Sequence, residues 1–298
     1  RQMCIRDSPL PPYTTDNVLK DVNRILGLSA KDAMKVLQEL FENGFITYHR
    51  TDSTRVSSRG LDVARTFLKE EFVGRVWKGG KEGAHECIRP TRPFDWKTLR
   101  DLIYQGVLQT YEHMTFNHFR VYDLIFKRFM ASQCSDIKIK VIKYRIKIGE
   151  FIKIIEVVTH ASGKAYDLYP YSIRMEKPLP EGKVKGIVTC ILKNKANLLT
   201  QADAISLMKE RGIGRPSTYA TLIEKLFTRH YIFEKDSKLI PTRRGVKIEE
   251  FLNRNYKKFV SEERTRLVEK LMDDVESGKI DYIEVLKNFY KEIVSIRG

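Results

Sequence analysis

The feature that most narrows the possible folds is a pattern written twice. Near the start, Thr14–Leu26 carries Val18, Leu19, Val22 and Ile25 at helical spacing. A second helix opens at Ser29, which with Asp32 forms an S-x-x-D capping box. Its apolar stripe is Met34, Leu37, Leu40 and Phe41; Gly44 supplies the stop, and a short β-prone run, Phe45–Tyr48, follows. The order returns from Thr200. Thr200 and Asp203 cap a helix through Met208, and Gly212 and Gly214 break it. Pro216 sits where a first-turn proline belongs, and a second helix runs to about Arg229. A strand at Tyr231–Phe233, a polar turn and Leu239-Ile240 complete a hairpin. The junctions match in spacing and type, Leu40-Phe41-x3-Phe45-Ile46 against Leu226-Phe227-x3-Tyr231-Ile232. Helix, turn, helix and short hairpin is the winged-helix order, usually a DNA-docking module.

Between the copies the sequence predicts a β-rich stretch from about Val121 to Leu192. Ile137–Ile148 alternates apolar and basic residues, as a half-buried strand with one basic face would. Lys153–Val158 and Gly186–Leu192 are further strand candidates. After Thr242 the pattern is helical to the end, with Ser261 and Asp281 starting the last two helices and Gly278 separating them. The fold class expected is therefore mixed α and β, and 298 residues is enough for two or three domains.

Charge selects partners. Lys and Arg outnumber Asp and Glu by 54 to 38, for a formal charge of +16, which favours polyanions such as nucleic acid or an anionic membrane surface. No run of about 18 apolar residues is present to span a bilayer, no amphipathic basic helix stands out, and no secretory signal is read. The expected compartment is the cytoplasm, with no membrane partner. Cys4, Cys87, Cys134 and Cys190 are far apart and form no C-x-x-C pair, which argues against a zinc ribbon or a disulfide scaffold. Buried, inert thiols are expected instead.

The most informative segment is Gly44-Phe-Ile-Thr-Tyr-His-Arg-Thr-Asp-Ser-Thr-Arg-Val-Ser57. A phenol titrates near pH 10, so tyrosine is a poor nucleophile unless cations stabilise phenolate and phosphate charge. Arg50 and Arg55 can do so; a lone tyrosine in that setting would more simply pack by its ring. This one is not alone. The segment resembles the active-site stretch of type IA DNA topoisomerases, G-x-I-T-Y-x-R-T-D-S-T. Glu82-Gly-Ala-His-Glu-Cys-Ile-Arg-Pro-Thr91 is similar to that family's E-x-A-H-E-A-I-R-P-T, with Cys87 as the one departure. Arg211-Gly-Ile-Gly-Arg-Pro-Ser-Thr-Tyr-Ala220 is similar to its R-G-I-G-R-P-S-T-Y-A segment, and all three stand in the family's order. Within the family the resemblance, which runs from about Pro9 to the C-terminus, leans to the reverse gyrase branch. The pointers are His49 after the tyrosine, Arg92-Pro-x-Asp95, Tyr122–Phe129 and Thr242–Lys247. A Lys-, Ile- and Glu-rich composition also suits a thermophile.

The resemblance implies roles position by position. Tyr48 takes the place of the nucleophile that becomes joined to a 5′ phosphate, and Arg50 that of the arginine stabilising the scissile phosphate. His85 is expected to contact substrate near the cleavage site, with Arg89 and Asp52 of the same two motifs in the DNA-contacting set. Arg215 and Thr218 are expected to hold the DNA backbone from the start of a helix, whose amides favour phosphate. Gly212 and Gly214 would let that turn approach closely. G-I-G-R-P-S-T lacks the spacing and lysine of a nucleotide P-loop, so no ATP site is read there.

The family's fold implies residues 9–120 as a winged-helix-like domain with the tyrosine, 121–195 as the β-rich arch of a toroid, and 196–298 as a helical, winged-helix-like DNA-binding domain. Arg1–Ser8 does not extend the resemblance and reads as a fragment boundary or an assembly artefact. The family's magnesium site is a glutamate and a D-x-D cluster in a preceding acidic domain, and no D-x-D occurs in this sequence. No metal ligand is therefore assigned here. Magnesium is expected from that missing domain, and ATP only through the helicase-like domain a reverse gyrase carries further upstream.

The activity implied is that of a topoisomerase fragment acting on DNA, preferentially single-stranded, inactive or weak without the missing domain. A non-catalytic DNA-binding remnant and a stand-alone topoisomerase I remain alternatives. A replication-initiation endonuclease is disfavoured, because none of the six histidines forms that class's histidine pair. Affinity for single-stranded DNA should fall steeply as salt rises, in proportion to the phosphates neutralised. A filter-binding series between low and physiological salt reads this directly, and flat affinity would refute the electrostatic account.

Overall fold

Capping decides where the helices of both copies begin and end. In the computed structural model, which describes residues 2–77, 85–183 and 198–294, α1 spans Thr15–Asp21 and continues as a wider π-helical turn to Leu26. The next helix, α2 (Ala30–Glu42), starts where the Ser29 hydroxyl accepts the Asp32 amide at 3.1 Å. It buries Ala33, Val36, Leu37 and Leu40. At its end the Phe45 amide donates to the Leu40 carbonyl (3.0 Å) and the Gly44 amide to Phe41 (2.8 Å), with Gly44 at φ +70°. That pair of bonds is a Schellman motif.

The chain divides into two units, residues 1–197 and 198–298. In the first, α3 (Ser58–Leu68), α4 (Trp96–Tyr104) and α5 (Phe116–Ser132) follow α2. Helix α5 is the core. It buries Phe119, Val121, Tyr122, Leu124, Ile125, Phe126, Phe129 and Met130 and touches α2, α3 and α4. This corrects the β-rich reading from Val121. A helix enclosed on nearly every side shows no single apolar stripe, and its aromatic and β-branched residues mimic a strand. It also runs straight through the expected boundary between 120 and 121.

Strands β1 (Gln2–Ser8), β2 (Ile137–Ile148) and β3 (Phe151–Ser162) form an antiparallel sheet in the order β1-β2-β3. Gln2–Ser8, set apart by sequence, pairs along β2 from Lys143 to Ile137. The expectation of one basic face on β2 fails at the doublet Val141-Ile142, both buried. Before it the odd residues Ile137 and Val141 face inward; after it the even residues Ile142 and Tyr144 do, and the pairing with β3 shifts register there. Lys138 and Lys140 therefore lie on the opposite face from Lys143, Arg145 and Lys147. The candidate strand Gly186–Leu192 lies outside the described residues.

A short helix, α6 (Lys164–Leu168), returns the chain to the helical layer. There Asp21 accepts hydrogen bonds from the Tyr13 and Tyr169 hydroxyls (3.0 and 2.7 Å), whose oxygens are 2.5 Å apart. The Arg128 guanidinium of α5 lies 5.1 Å from each ring centroid, and its Nε donates to the Pro11 carbonyl at 2.7 Å. Burial pushes the Tyr13 phenol well above its ordinary value, so the pair stays protonated.

The second unit repeats the opening of the first. Helices α7 (Gln201–Glu210) and α8 (Tyr219–Thr228) precede a hairpin of β4 (Ile232–Lys235) and β5 (Lys238–Pro241), then α9 (Arg243–Val260), α10 (Glu262–Glu276) and α11 (Tyr282–Val294). Thr200 and Asp203 close a capping box on α7. After α8 the Tyr231 amide donates to Leu226 (2.9 Å) and the His230 amide to Phe227 (2.8 Å). These are the bonds that end α2, so the matched junctions encode one shared cap. Gly245, in the first turn of α9, passes so close to Tyr231 that a Cβ would lie 2.2 Å from its carbonyl oxygen. Gly245→Ala should destabilise this unit by about 2 kcal/mol through overpacking, measured as a lower midpoint in urea unfolding.

Candidate active site

Two of the three sequence motifs are joined by main-chain hydrogen bonds. The Thr47 amide donates to the Arg89 carbonyl at 2.9 Å, the Arg89 amide returns to Thr47 Oγ1 at 3.0 Å, and Thr47 Oγ1 donates to the Cys87 carbonyl at 2.7 Å. The Thr91 amide donates to Phe45 at 3.0 Å. Phe45–Tyr48 is thus not a strand; Ile46 makes a single bridge to Pro90. A second strap comes from α1. Thr15 Oγ1 donates to the His49 and Thr51 carbonyls (2.6 and 3.0 Å), and the Thr51 amide donates back to it at 2.8 Å. The backbone on both sides of Tyr48 is therefore held while the tyrosine lies in irregular chain between the two ties.

Tyr48 is 41% exposed. Its ring packs against Phe41 (centroids 5.2 Å, edge-on), His49 (5.5 Å) and His85 (6.2 Å). His85, Arg50 and Asp52 are exposed beside it in sequence or space. An exposed phenol resting on an aromatic floor, with a cation two residues on and an imidazole across from its ring, is accessible to a phosphate. Residues 82–84 of the second motif lie outside the described residues.

His49 forms part of that floor, and sequence reasoning used it only as a family marker. Its exposure is 0%, and neither ring nitrogen has a hydrogen-bond partner. Burial, reinforced by the neighbouring Arg50 charge, lowers it to about 4, so the imidazole is neutral near pH 7. Leaving such groups unmet costs about 1–3 kcal/mol each. Thr15, Thr47 and Phe41 were likewise missed as site-building residues: Thr47 stands in the tyrosine motif but was given no role, and the partners of Thr15 and Thr47 are distant in sequence.

Arg89 corrects its expected role. It is 3% exposed, its Nε and Nη2 reach Glu86 at 3.0 and 2.7 Å, and Nη1 donates to the Pro90 carbonyl at 3.0 Å. A Cβ on Gly60 would stand 2.7 Å from its Nε. The guanidinium is buried and committed to Glu86 and Pro90, a strut inside the site rather than an open cation. Burial acts to raise the Glu86 carboxyl, but hydrogen bonds from Arg89 and Ser57 outweigh it and hold the carboxyl below its usual range. Cys87, between them, is a buried thiol that desolvation pushes up to about 12, as inert as expected.

The third motif belongs to the second unit. Arg215 lies before α8, not within its first turn. Its Nε bonds Glu269, and its Nη2 donates to Asp273 (2.6 Å) and the Glu269 carbonyl (2.9 Å). Those carboxylates, Glu269 first, raise its basicity further. The side chain is thus committed to α10 here and is not an open phosphate ligand. Thr218 is the N-cap of α8, and its hydroxyl accepts the Arg215 amide at 2.8 Å, shaping the turn that Gly212 and Gly214 enter at φ +65° and +77°. Among the described residues no group of three His, Cys, Asp or Glu side chains can hold a metal ion, and no helix is long and apolar enough to cross a membrane.

A family model described as DNA topoisomerase matches residues 3–287, beginning inside the segment Arg1–Ser8. The reverse gyrase of Pyrococcus furiosus is 46% identical over 96% of this chain and 24% of that protein. That of Pyrobaculum aerophilum is 44% identical, again over 96% and 24%. Full-length topoisomerase I from Thermotoga maritima superposes with a TM-score of 0.76 at 30% identity, covering 99% of this chain and 51% of that one. The chain spans about a quarter of the length of the curated relatives it matches.

The buried neutral histidine has a measurable signature. An unfolded histidine takes up a proton near pH 6.5, whereas folded His49 resists until about 4. Between these values the unfolded chain binds more protons, so stability is full above pH 6.5 and falls as pH drops toward 4, by up to about 3 kcal/mol. Unfolding free energies at stepped pH should show this slope in wild type and a shallower one in His49→Phe.

Proposed function

Because this chain belongs to the type IA DNA topoisomerase family, we propose that Tyr48 is its nucleophile and that the chain is the greater part of the strand-cleaving module of a reverse gyrase. The observation that carries this reading is the placement of Tyr48 itself. It is an exposed ring packed on Phe41 and the enclosed His49, with the backbone tied on both sides, His85 6.2 Å away and Arg50 two residues on.

The chemistry is transesterification. The Tyr48 phenolic oxygen attacks a backbone phosphorus, forms a phosphotyrosine bond to the 5′ side, and breaks the bond to the 3′ oxygen. The phenol gives up its proton and the departing 3′ oxygen gains one. The same 3′ hydroxyl attacks in reverse to reseal the strand. One ester is exchanged for another of similar energy, so the break keeps the means of its own repair. Catalysis then rests on positioning and on cations near the phosphoryl oxygens, the part proposed for Arg50, with His85 contacting substrate alongside.

Among the described residues none fit a magnesium site, and no step is assigned to one. Magnesium would be held by an acidic domain of the longer protein, and ATP by its helicase-like portion. DNA is the partner the family supports, single-stranded DNA the form an exposed aromatic and basic surface favours. Strand passage through an opened ring would follow cleavage, in the cytoplasm. Arg215 would need to leave Glu269 and Asp273 to meet a phosphate.

End-labelled single-stranded oligonucleotide, incubated with the chain with and without an added acidic metal-binding domain and resolved on a denaturing gel, tests the assignment. A protein-linked band should appear on complementation and vanish in Tyr48→Phe, with DNA binding retained. Bound DNA with no band in either lane would reduce the chain to a DNA-binding fragment. Efficient plasmid relaxation by the chain alone would overturn the placement of magnesium elsewhere.

A further inference from the structure

Among the described residues, His49 alone has fully enclosed side-chain nitrogens with no hydrogen-bond partner. Packing does not require those nitrogens. A phenyl ring would fill the space between Phe41 and Tyr48, whose centroids lie 6.0 and 5.5 Å away, without enclosing unmet polar atoms. Nor is the backbone free to bring the ring to solvent, because the His49 carbonyl is held by Thr15 at 2.6 Å. Of the two rings that wall it, only Tyr48 carries a polar atom, and Tyr48 is the one open to solvent.

We infer, on the reading that Tyr48 is the nucleophile, that His49 is a positioning residue: its ring hydrogen-bonds the Tyr48 phenolic oxygen once DNA draws the phenol to a phosphate. The neutral ring suits this role and excludes another. One nitrogen carries a proton to donate and the other is bare to accept, so the ring orients a phenol without adding charge to the site. It does not take the phenol's proton, because an imidazole held to about 4 is too weak a base for that task. That proton goes to water. His49 thus differs from Arg50, proposed to meet the phosphate by charge, and from His85, which is exposed 6.2 Å from the tyrosine ring.

Three chains separate positioning from packing: wild type, His49→Phe and His49→Gln. Phenylalanine fills the floor and removes both nitrogens; glutamine packs worse but keeps a donor and an acceptor. Each is followed in the trapping assay under the condition where wild type forms adduct, alongside single-strand DNA affinity and thermal unfolding. His49→Phe should melt at or above the wild-type temperature and bind DNA as wild type does. It should form adduct at least about tenfold more slowly, the scale of losing one hydrogen bond to a reacting oxygen. His49→Gln should melt lower yet recover part of the rate.

A purely structural histidine predicts the opposite ranking, with phenylalanine fast and glutamine slow. That ranking, an undiminished rate in His49→Phe, or a lower melting temperature for it would overturn the inference while leaving Tyr48 as nucleophile. Absence of adduct from wild type under every condition would overturn the nucleophile reading and this inference with it.

Discussion

The exchange between Thr47 and Arg89 is the interaction on which the site depends. The chain leaving α2 has no neighbouring strand to pair with, and its amides and carbonyls need partners once buried. They find them in residues 87–91, some forty positions on. That pairing places His85 against Tyr48. It also explains why an arginine lies buried two residues past Cys87. The paired segment needs a rigid back, and the multiply hydrogen-bonded bridge from buried Arg89 to half-buried Glu86 supplies it. Removing either partner would leave an uncompensated charge, so the two residues stand or fall together.

Much of this was legible in the sequence, and the legible parts share a property: the physics acts over a few residues. The boxes at Ser29 and Thr200, the stop at Gly44 and the limits of β2 are all written locally. The doubled junction proved to be one Schellman cap spelled twice. What escaped was decided at a distance. Helix α5 lost its stripe because neighbours cover it all round, and the parity switch at Val141-Ile142 has meaning only when something lies against each face. At the site, Tyr48, Arg50, Asp52 and His85 came out exposed, whereas Arg89 is tied to Glu86 of its own motif. In the second unit Arg215 is tied to Glu269 and Asp273, which no motif names.

The net charge of +16 is accordingly a poor guide to where cations are available. Arg24 and Arg128 are drawn to Asp21, Arg89 to Glu86 and Arg215 to Glu269 and Asp273. Each is planar, forked and permanently charged, which suits an internal tie as well as a phosphate contact. Arg128, between two tyrosine faces, is the plainest case of structural use.

The shared cap also sets the two units side by side for comparison. Aligned on it, Tyr48 occupies the position of Glu234. In the second unit the chain folds straight back through Asp236 and Ser237, both at positive φ, and β4 finds β5 three residues later. In the first unit no such reversal occurs. A hairpin closed on itself is self-sufficient and therefore silent; opened, the same emerging strand must borrow its partner from elsewhere in the chain. The loan arrives with its own side chains, and the residue released from the ladder is free to face outward. On the proposed reading, the wing left open in the first unit is what gives the shared helices a reactive group without altering them.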